Sequence, residues 1–428
     1  MRALRYIHAA DLHLDAPFLG VSRSLEAPRL AGQLRKASFT ALERLCDLCE
    51  REKPDFLVVA GDIYNQETYS IKAQLALRDA CERLRLLSIP VFLAHGNHDP
   101  LSSRLTAVLW PENVIFFGPE VTARSVEIEG EIVALVHGIS HEKAGESRNL
   151  SRLFARDTKL DKCFQLGVLH ATVEGQSALR YAPCTLADLK ESGLDAWALG
   201  HVHKHAVLSQ RPFIAYSGSV QGLHVNEPGS HGCLVITASH DGVEWVCGHV
   251  FHPLAPVQWE EVECDLEHVE SLDEAEARLA EALNTAAAEA GIGCEALVAR
   301  IVLRGRTGLD ALLRQKTVLE DLSGRLQYLA RGRPCLWIKD MCCRTQAPRE
   351  RDLSRDDILG EVLRLAAALR ADPESFGRLT DRALGQLYMH KRAARFLSVL
   401  PESELLSLLQ EAETLCEESL DPNENSTC

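Results

Sequence analysis

The chain has 428 residues, 46% apolar and 25% charged, with 46 Lys and Arg against 61 Asp and Glu for a net charge of −15. This is an ordinary globular composition with room for two to three domains, which excludes disordered and fibrous classes, and so acidic a chain is a poor unaided binder of nucleic acid without a local basic patch, a metal or a partner. The sequence shows no uncharged apolar run long enough for a membrane span, Met1-Arg2-Ala3-Leu4-Arg5 does not read as a signal peptide, and the 14 Cys fit reduced thiols in a cytosol.

In chain order, Tyr6-Ile7 enters a first strand and Ala27 to Glu52 reads as a long helix. Phe56-Leu57-Val58-Val59-Ala60 is a buried strand, Ile71 to Leu87 a second helix, and Val91-Phe92-Leu93-Ala94 a third strand. Alternation of this kind predicts parallel strands joined by crossover helices. Further strands are expected at Ile132–Val136, Gln165–Leu169, Ala196–Leu199, Phe213–Tyr216 and Cys233–Thr237. Continuous apolar strands are buried on both faces, so the expected fold is a layered α/β sandwich, with ligands where loops leave the carboxyl ends of strands. Cys46 and Cys49 form a CxxC, but within a helical pattern and with no second pair, which reads as core packing.

Fifteen of the seventeen histidines precede residue 253, and only His268 and His390 follow. Five strand ends carry metal-type residues: Asp11 and His13 in Ala10-Asp11-Leu12-His13; Asp62 in Gly61-Asp62; Asn97, His98 and Asp99 in Gly96-Asn97-His98-Asp99; His170; and His201 and His203 in His201-Val202-His203. Two Asp, one Asn and four His supply carboxylate, amide and imidazole donors for two divalent cations, and that mixture suits Mn, Fe or Zn better than Ca. Two cations about 3.5–4 Å apart can hold a phosphate by two oxygens and activate a water for in-line attack. A carboxylate between them offsets their repulsion. Glycines before Asp62, Asn97 and His201 allow the turns that let these side chains converge. His98 beside a ligand and backed by a carboxylate has the setting of a general acid.

The order D-x-H, G-D, G-N-H-D, H, G-H-x-H resembles the calcineurin-like metallophosphoesterase pattern. Ile7 to Asp15, Tyr181-Ala182-Pro183-Cys184, Trp197 to Lys204 and Gln221 to Glu227 also resemble the bacterial YhaO-type, SbcD-like DNA repair exonucleases. The resemblance covers about residues 4 to 250 and implies a four-layer metallophosphoesterase β-sandwich flanked by helices. It implies that Asp11, His13 and His203 bind a first metal, that Asp62 bridges, and that Asn97, His170 and His201 bind a second. It further implies that His98 serves the scissile phosphate with Asp99 orienting its ring. The sequence departs at Asn65, where DNA-cleaving relatives often have a second His, and in Tyr216-Ser217-Gly218-Ser219, where a Ser replaces a common Pro and a looser turn is expected. Asn can bond a phosphate oxygen but does not readily give up a proton.

The other histidines read as supporting residues: His8 packed in its strand, His95 structural, His205 solvent-facing, and His137, His141 and His231 without identifiable partners. His224, Arg104 and Arg180 are weaker candidates for substrate contact.

Pro253 to Pro256 reads as a linker, ending a nuclease domain at residue 252. Residues 257–345 read as a small α+β module: strands at Val257–Val262, Leu297–Leu303 and Cys335–Ile338, and helices at Ser271–Ala290 and Leu309–Ala330, the first opening on a Ser271/Glu274 capping box. The module matches in position the capping domain of SbcD-like proteins. Residues 346–420 are helical, with expected helices at Ile358–Arg370, Phe376–Leu400 and Glu402–Glu418, and 421–428 read as a disordered tail. No G-x-x-x-x-G-K-[ST] phosphate loop occurs, so ATP-driven work would need another protein. The resemblance implies an SMC-like coiled-coil ATPase, expected to dock on 346–420, and relatives that often form homodimers. The favoured expectation is a two-metal, Mn-dependent DNA exonuclease or endonuclease subunit, cytoplasmic and nucleoid-associated when on DNA. The rivals are a small-molecule phosphodiesterase or phosphomonoesterase of the same chemistry, and a binding subunit that keeps the metals for structure.

Overall fold

Continuous Val, Ile, Leu and Phe runs make the central strands, because branched and aromatic side chains fit a pleated surface buried on both sides. The computed structural model describes residues 3–18, 28–65, 70–103, 108–174, 181–329, 334–348, 356–389, 400 and 402–420. The chain runs through β1 (Leu4–Ala9), α1 (Pro28–Glu52), β2 (Phe56–Ala60), α2 (Ile71–Leu86), β3 (Val91–Ala94), β4 (Val114–Phe116), β5 (Thr122–Ile128), β6 (Glu131–Gly138), β7 (Phe164–His170), α3 (Leu186–Glu191), β8 (Ala196–Gly200), β9 (Ala206–Gln210), β10 (Phe213–Tyr216), β11 (Gly232–His240) and β12 (Trp245–Pro253). After these come β13 (Val257–Asp265), α4 (Leu272–Glu289), β14 (Ala296–Arg304), α5 (Asp310–Leu313), α6 (Lys316–Leu329) and β15 (Cys335–Cys343), then α7 (Ile358–Ala371), α8 (Pro373–Met389) and α9 (Glu402–Leu420).

Two six-stranded sheets, ordered β12-β11-β1-β2-β3-β4 and β5-β6-β7-β8-β10-β9, pack face to face. β1 to β4 pair in parallel, as do β6, β7, β8 and β10, while β11, β12, β5 and β9 pair antiparallel at the flanks. The inter-sheet core holds Tyr6, Phe56, Phe92, Phe117, Phe164 and Val168, with the Tyr6 and Phe56 rings stacked at 5.1 Å. Burying each such side chain contributes roughly 1.5–3 kcal/mol. α1 and α2 cover the outer face of the first sheet, where Cys46, Cys49, Cys81 and Cys233 sit as buried thiols. α3 covers the second sheet, fastened by a Thr185/Asp188 capping box and by the Trp197 indole donating to the Leu189 carbonyl. The result is the layered α/β sandwich expected of the metallophosphoesterase fold, with the carboxyl ends of β1, β2, β3, β7 and β8 on one rim. His8 ties the sheets together below that rim, its Nε2 bonding the Leu199 carbonyl at 3.1 Å.

β13, β14 and β15 form a parallel three-stranded sheet with α4 and α6 on one face. Its other face buries Trp259 and Val298 against Leu30, Leu34 and Ala37 of α1. The two parts form one compact unit, residues 1–347, and the expected linker is a short connection in which Leu254 and Pro256 are buried. The single helix expected from Leu309 is broken into α5 and α6. A second unit, from Pro348 to Cys428, contains α7, α8 and α9, with Arg370 of α7 ion-paired to the buried Glu413 of α9. The end of the expected Phe376–Leu400 helix and the tail 421–428 lie outside the described residues. Among the described residues no helix is long and apolar enough to cross a membrane.

Candidate metal centre

Three of the five strand-end motifs leave their strands through left-handed turns. Asp11 (φ 50), His13 (φ 41), Asp62 (φ 48) and His201 (φ 99) all hold left-handed backbone conformations. Residues other than Gly adopt these uncommonly, Asp and His more readily than most, and such strain gathers at functional sites. Backbone bonds fix the turns: the amides of Asp11 and His13 donate to the carbonyls of Gly61 and Asp62, both at 3.0 Å. The His201 amide donates to both Asp11 oxygens at 3.1 Å, and the His98 amide to Asp62 Oδ1 at 2.8 Å.

The side chains converge as two groups. Asp11, His13 and His203 form one, and Asp11, Asp62 and His170 the other. Asp62 Oδ2 lies 3.3 Å from His170 Nε2 and 3.8 Å from His13 Nε2, so it faces both groups. Asn97 Oδ1 sits 3.0 Å from His170 Nε2. The His201 imidazole stands one ring away, its centroid 5.2 Å from that of His170, outside the tight group. His98 is exposed at the mouth, its ring edge-on to His13 at 5.1 Å.

The proton positions of these imidazoles show what the site can hold. His203 Nδ1 is 2.6 Å from Glu227 Oε1, and His13 Nδ1 is 3.2 Å from Asn65 Oδ1. A carboxylate and an amide oxygen only accept, so both protons sit on Nδ1. The two Nε2 atoms then face each other across 3.1 Å, where a cation would replace the proton they share. His170 is different: Nδ1 donates to the Ala60 carbonyl at 3.0 Å, and Nε2 faces the acceptor oxygens of Asn97 and Asp62, so this ring holds a second proton that a bound cation would displace. Convergent ring nitrogens among buried carboxylates fit a divalent cation. The field agrees: burial alone would lower His170, but Asp62 and Asp11 raise it to about 9. Burial likewise disfavours charge on His203, yet Glu227 and Asp11 raise it to about 9. Burial pushes Asp11 up to about 6; it would raise Asp62 too, but His170 holds that carboxylate below its usual range. Burial lowers His13 and His201 to about 3.

Glycines pack round His170. A Cβ on Gly96 would lie 2.2 Å from Asp62 Oδ1, and one on Gly200 would lie 1.7 Å from the Ala60 carbonyl oxygen. Neither has positive φ, so close approach, not turn geometry, requires glycine at these two positions.

Asp99 differs from expectation. Its carboxylate does not meet His98; it accepts from Gly96 N at 2.8 Å, Ile63 N at 3.0 Å and His95 Nδ1 at 3.1 Å. It is 1% exposed and braces the turn beneath the site while its neighbour points out. Asn65 faces His13 rather than open solvent. His141 has a partner, Nε2 donating to the His170 carbonyl at 2.7 Å, as do His137 on Gln165 and His231 on Ser219. His205 is half-buried against Phe251 instead of solvent-facing. His224 lies 3.3 Å from Glu227. Arg104 and Arg180 lie outside the described residues. Sequence reasoning missed Glu227; its only signal was a place in the quoted stretch Gln221 to Glu227.

Residues 4–205 match the calcineurin-like phosphoesterase family, and residues 259–346 match the middle domain of the metallophosphoesterase YhaO. The uncharacterized metallophosphoesterase YhaO of Bacillus subtilis (strain 168) is 36% identical over 272 residues, covering 63% of this chain and 65% of that protein. The match thus spans just under two thirds of that relative's length. Among solved structures, TT1561 of Thermus thermophilus aligns at 11% identity and a TM-score of 0.30, covering 58% of this chain and 99% of that one. A dimetal phosphatase from Danio rerio aligns at 14% identity and a TM-score of 0.31, covering 57% and 98%. Residues 4–205 thus resemble the calcineurin-like phosphoesterases, a family whose members use divalent ions, and the chain is similar to YhaO over 272 residues.

Proposed function

We propose that this protein is a two-metal phosphodiesterase that cleaves DNA, as an exonuclease or endonuclease subunit of a repair complex. The observation that carries the reading is the convergence of His13, His203, His170, Asp11, Asp62 and Asn97 donors beside one exposed imidazole, His98. The first group would hold one cation and Asp62, Asn97 and His170 the other, with His201 within reach of the second. When bound, the pair supplies electrostatic stabilisation of a phosphate and lowers the pKa of a water. Manganese is the favoured ion, with iron or zinc as alternatives. The protein orients the donors through Asn65, Glu227 and the Ala60 carbonyl, and keeps Asp11 and Asp62 at the centre in fixed turns. His98 stands free at the mouth, where a leaving oxygen can take its proton.

The choice of DNA rests on the likeness of the strand-end motifs to SbcD-like nucleases and on the module after residue 257. The net charge of −15 and the Asn at position 65 favour the rival, a small-molecule phosphodiesterase or phosphomonoesterase. Residues 346–420 are proposed to dock an SMC-like ATPase, which would bring ATP chemistry and DNA-binding surface to a cytoplasmic, nucleoid-associated complex; a homodimer is a further proposed assembly. Full-strength capture of that ATPase by protein truncated at residue 345 would remove the docking proposal.

The test is Mn-dependent cleavage of end-labelled single- and double-stranded DNA, with and without the ATPase, beside a His98→Ala variant and a panel of small phosphodiesters. Cleavage lost in the variant supports the nuclease reading. No DNA cleavage in any condition, with two metals bound per chain and a small diester hydrolysed, moves the assignment to the rival.

A further inference from the structure

The loop from Ser217 to His231, between β10 and β11, touches two places. One is the metal centre, where Glu227 Oε1 lies 2.6 Å from His203 Nδ1. The other is β13. Gln221 clamps both backbone groups of Val257, donating to its carbonyl at 2.7 Å and accepting from its amide at 3.3 Å. The Trp259 indole donates to the Gly222 carbonyl at 2.8 Å, and the Gly229 amide donates to the Trp259 carbonyl at 2.9 Å. Gln221 and Trp259 are buried.

Between these anchorages the loop is tightly cross-braced. Glu227 Oε2 accepts from the Leu223 amide at 2.7 Å, and the Glu227 carbonyl bonds His231 Nε2 at 3.1 Å. His231 Nδ1 bonds Ser219 Oγ at 2.8 Å, and the Ser219 amide donates to the carbonyl of His203 itself at 3.0 Å. The loop therefore grips both the side chain and the backbone of His203.

We propose that Glu227 is a positioning residue for His203, and that its loop transmits the seating of the β13–β15 module to the metal centre. This rests on the two-metal reading above. Glu227 accepts the Nδ1 proton, so Nε2 presents its lone pair toward His13 Nε2 and Asp11. Without that acceptor the ring can turn or take the other tautomer, and Nε2 would then carry the proton where a cation should be. Outer partners of this kind are commonly worth about 10–100-fold in metal affinity. Trp259 acts one step further back: it does not touch His203, and its indole N–H holds the loop backbone from the module side.

The experiment measures Mn²⁺ binding to full-length, chelator-stripped protein by equilibrium dialysis with metal analysis, with thermal melts as the folding control. The variants are His203→Ala, Glu227→Ala, Glu227→Asp, Glu227→Gln and Trp259→Phe. His203→Ala should lose one of two ions. Glu227→Ala should weaken one site about 10–100-fold and spare the other. Glu227→Gln keeps one acceptor oxygen but sets its NH2 against either His203 or the Leu223 amide and should recover only part of that loss, whereas Glu227→Asp withdraws the oxygen and should not. Trp259→Phe keeps a ring in the core but lacks the N–H, and should weaken the same site by a smaller factor.

If Glu227→Ala and Glu227→Asp bind both ions like wild type while His203→Ala loses one, the positioning role is wrong. An unchanged isotherm for Trp259→Phe overturns transmission from the module. If His203→Ala keeps both ions, His203 is not a ligand and the positioning role falls with it; if wild type itself binds fewer than two ions, the two-metal reading has failed, a result distinct from the others.

Discussion

A single methyl group at position 96 should disable the centre. Gly96 has ordinary backbone dihedrals, so alanine itself is unstrained there. Its Cβ, however, would lie 2.2 Å from Asp62 Oδ1 and 2.8 Å from both Asp62 N and His170 Nε2. Comfortable carbon–oxygen contact requires the carboxylate to retreat by about 1 Å. Retreat is blocked in two ways: the Asp62 carbonyl is held by the His13 amide at 3.0 Å, and Oδ1 is held by the His98 amide at 2.8 Å. Overpacking of this kind costs roughly 1–3 kcal/mol, which a domain of this size survives. A misplacement of about 1 Å in the site can cost on the order of 100-fold in rate. The expected result for Gly96→Ala is a folded protein with kcat/KM on bis(p-nitrophenyl) phosphate lowered about 100-fold and with weakened metal binding. The control is Gly118→Ala, where a Cβ meets nothing within 4 Å and no change is expected. Wild-type kcat/KM with two ions per chain in Gly96→Ala would refute the packing argument.

Asp99→Ala should act on stability and not on proton transfer: it strands two buried amides and His95, costing about 2–4 kcal/mol by denaturant titration, and leaves the pH dependence of any surviving activity unshifted. His98→Ala should lower kcat about 10²–10⁴-fold while both ions remain on dialysis; loss of metal instead would make His98 a ligand. Asn65→Ala should cost about 10–100-fold in affinity at the His13 group, and an unchanged affinity would show that Asn65 does not fix the His13 tautomer. Acid should destabilise the fold through His8, which burial lowers from 6.5 to about 3. The unfolded chain then binds the extra proton, so this stability is present above pH 6.5 and falls as pH drops toward 3, by about 1.4 kcal/mol at pH 5.5. His8→Gln should flatten that part of the pH–stability curve, and an unaltered slope would reassign it.

The legible parts of this molecule are those whose signal is local. An apolar run ending in Asp-x-His or Gly-Asn-His-Asp declares a strand, its exit and its donor atoms within a few residues, and five such runs together declare a rim. What lay beyond reach depends on which way neighbours point. Asp99 and His98 are adjacent in sequence, yet the turn that aims His98 outward folds Asp99 under it onto Gly96, Ile63 and His95. The edge strand β5 was missed because mostly exposed Thr122–Ile128 carries no continuous apolar run, and β9 because its apolar run is only Ala206-Val207-Leu208. Glu227 was invisible as a partner because 24 residues and a loop separate it from His203.

These failures share a physical origin that also explains how the site is stabilised. Asp11, His13, Asp62 and His201 sit in strained conformations, and two carboxylates and several imidazoles are buried together. The offset comes largely from neighbours beyond each group's own motif: the Ala60 carbonyl holds His170, Asn65 holds His13, the Glu227 loop holds His203, and Asp99 braces Ile63 as well as its own turn. The donor residues can therefore be read one motif at a time, whereas their orientation belongs to residues from other strands and loops. An activity assay on ligand variants would find the first set. Metal affinity in variants of Asn65 and Glu227, which bond His13 and His203, is what would reveal the second.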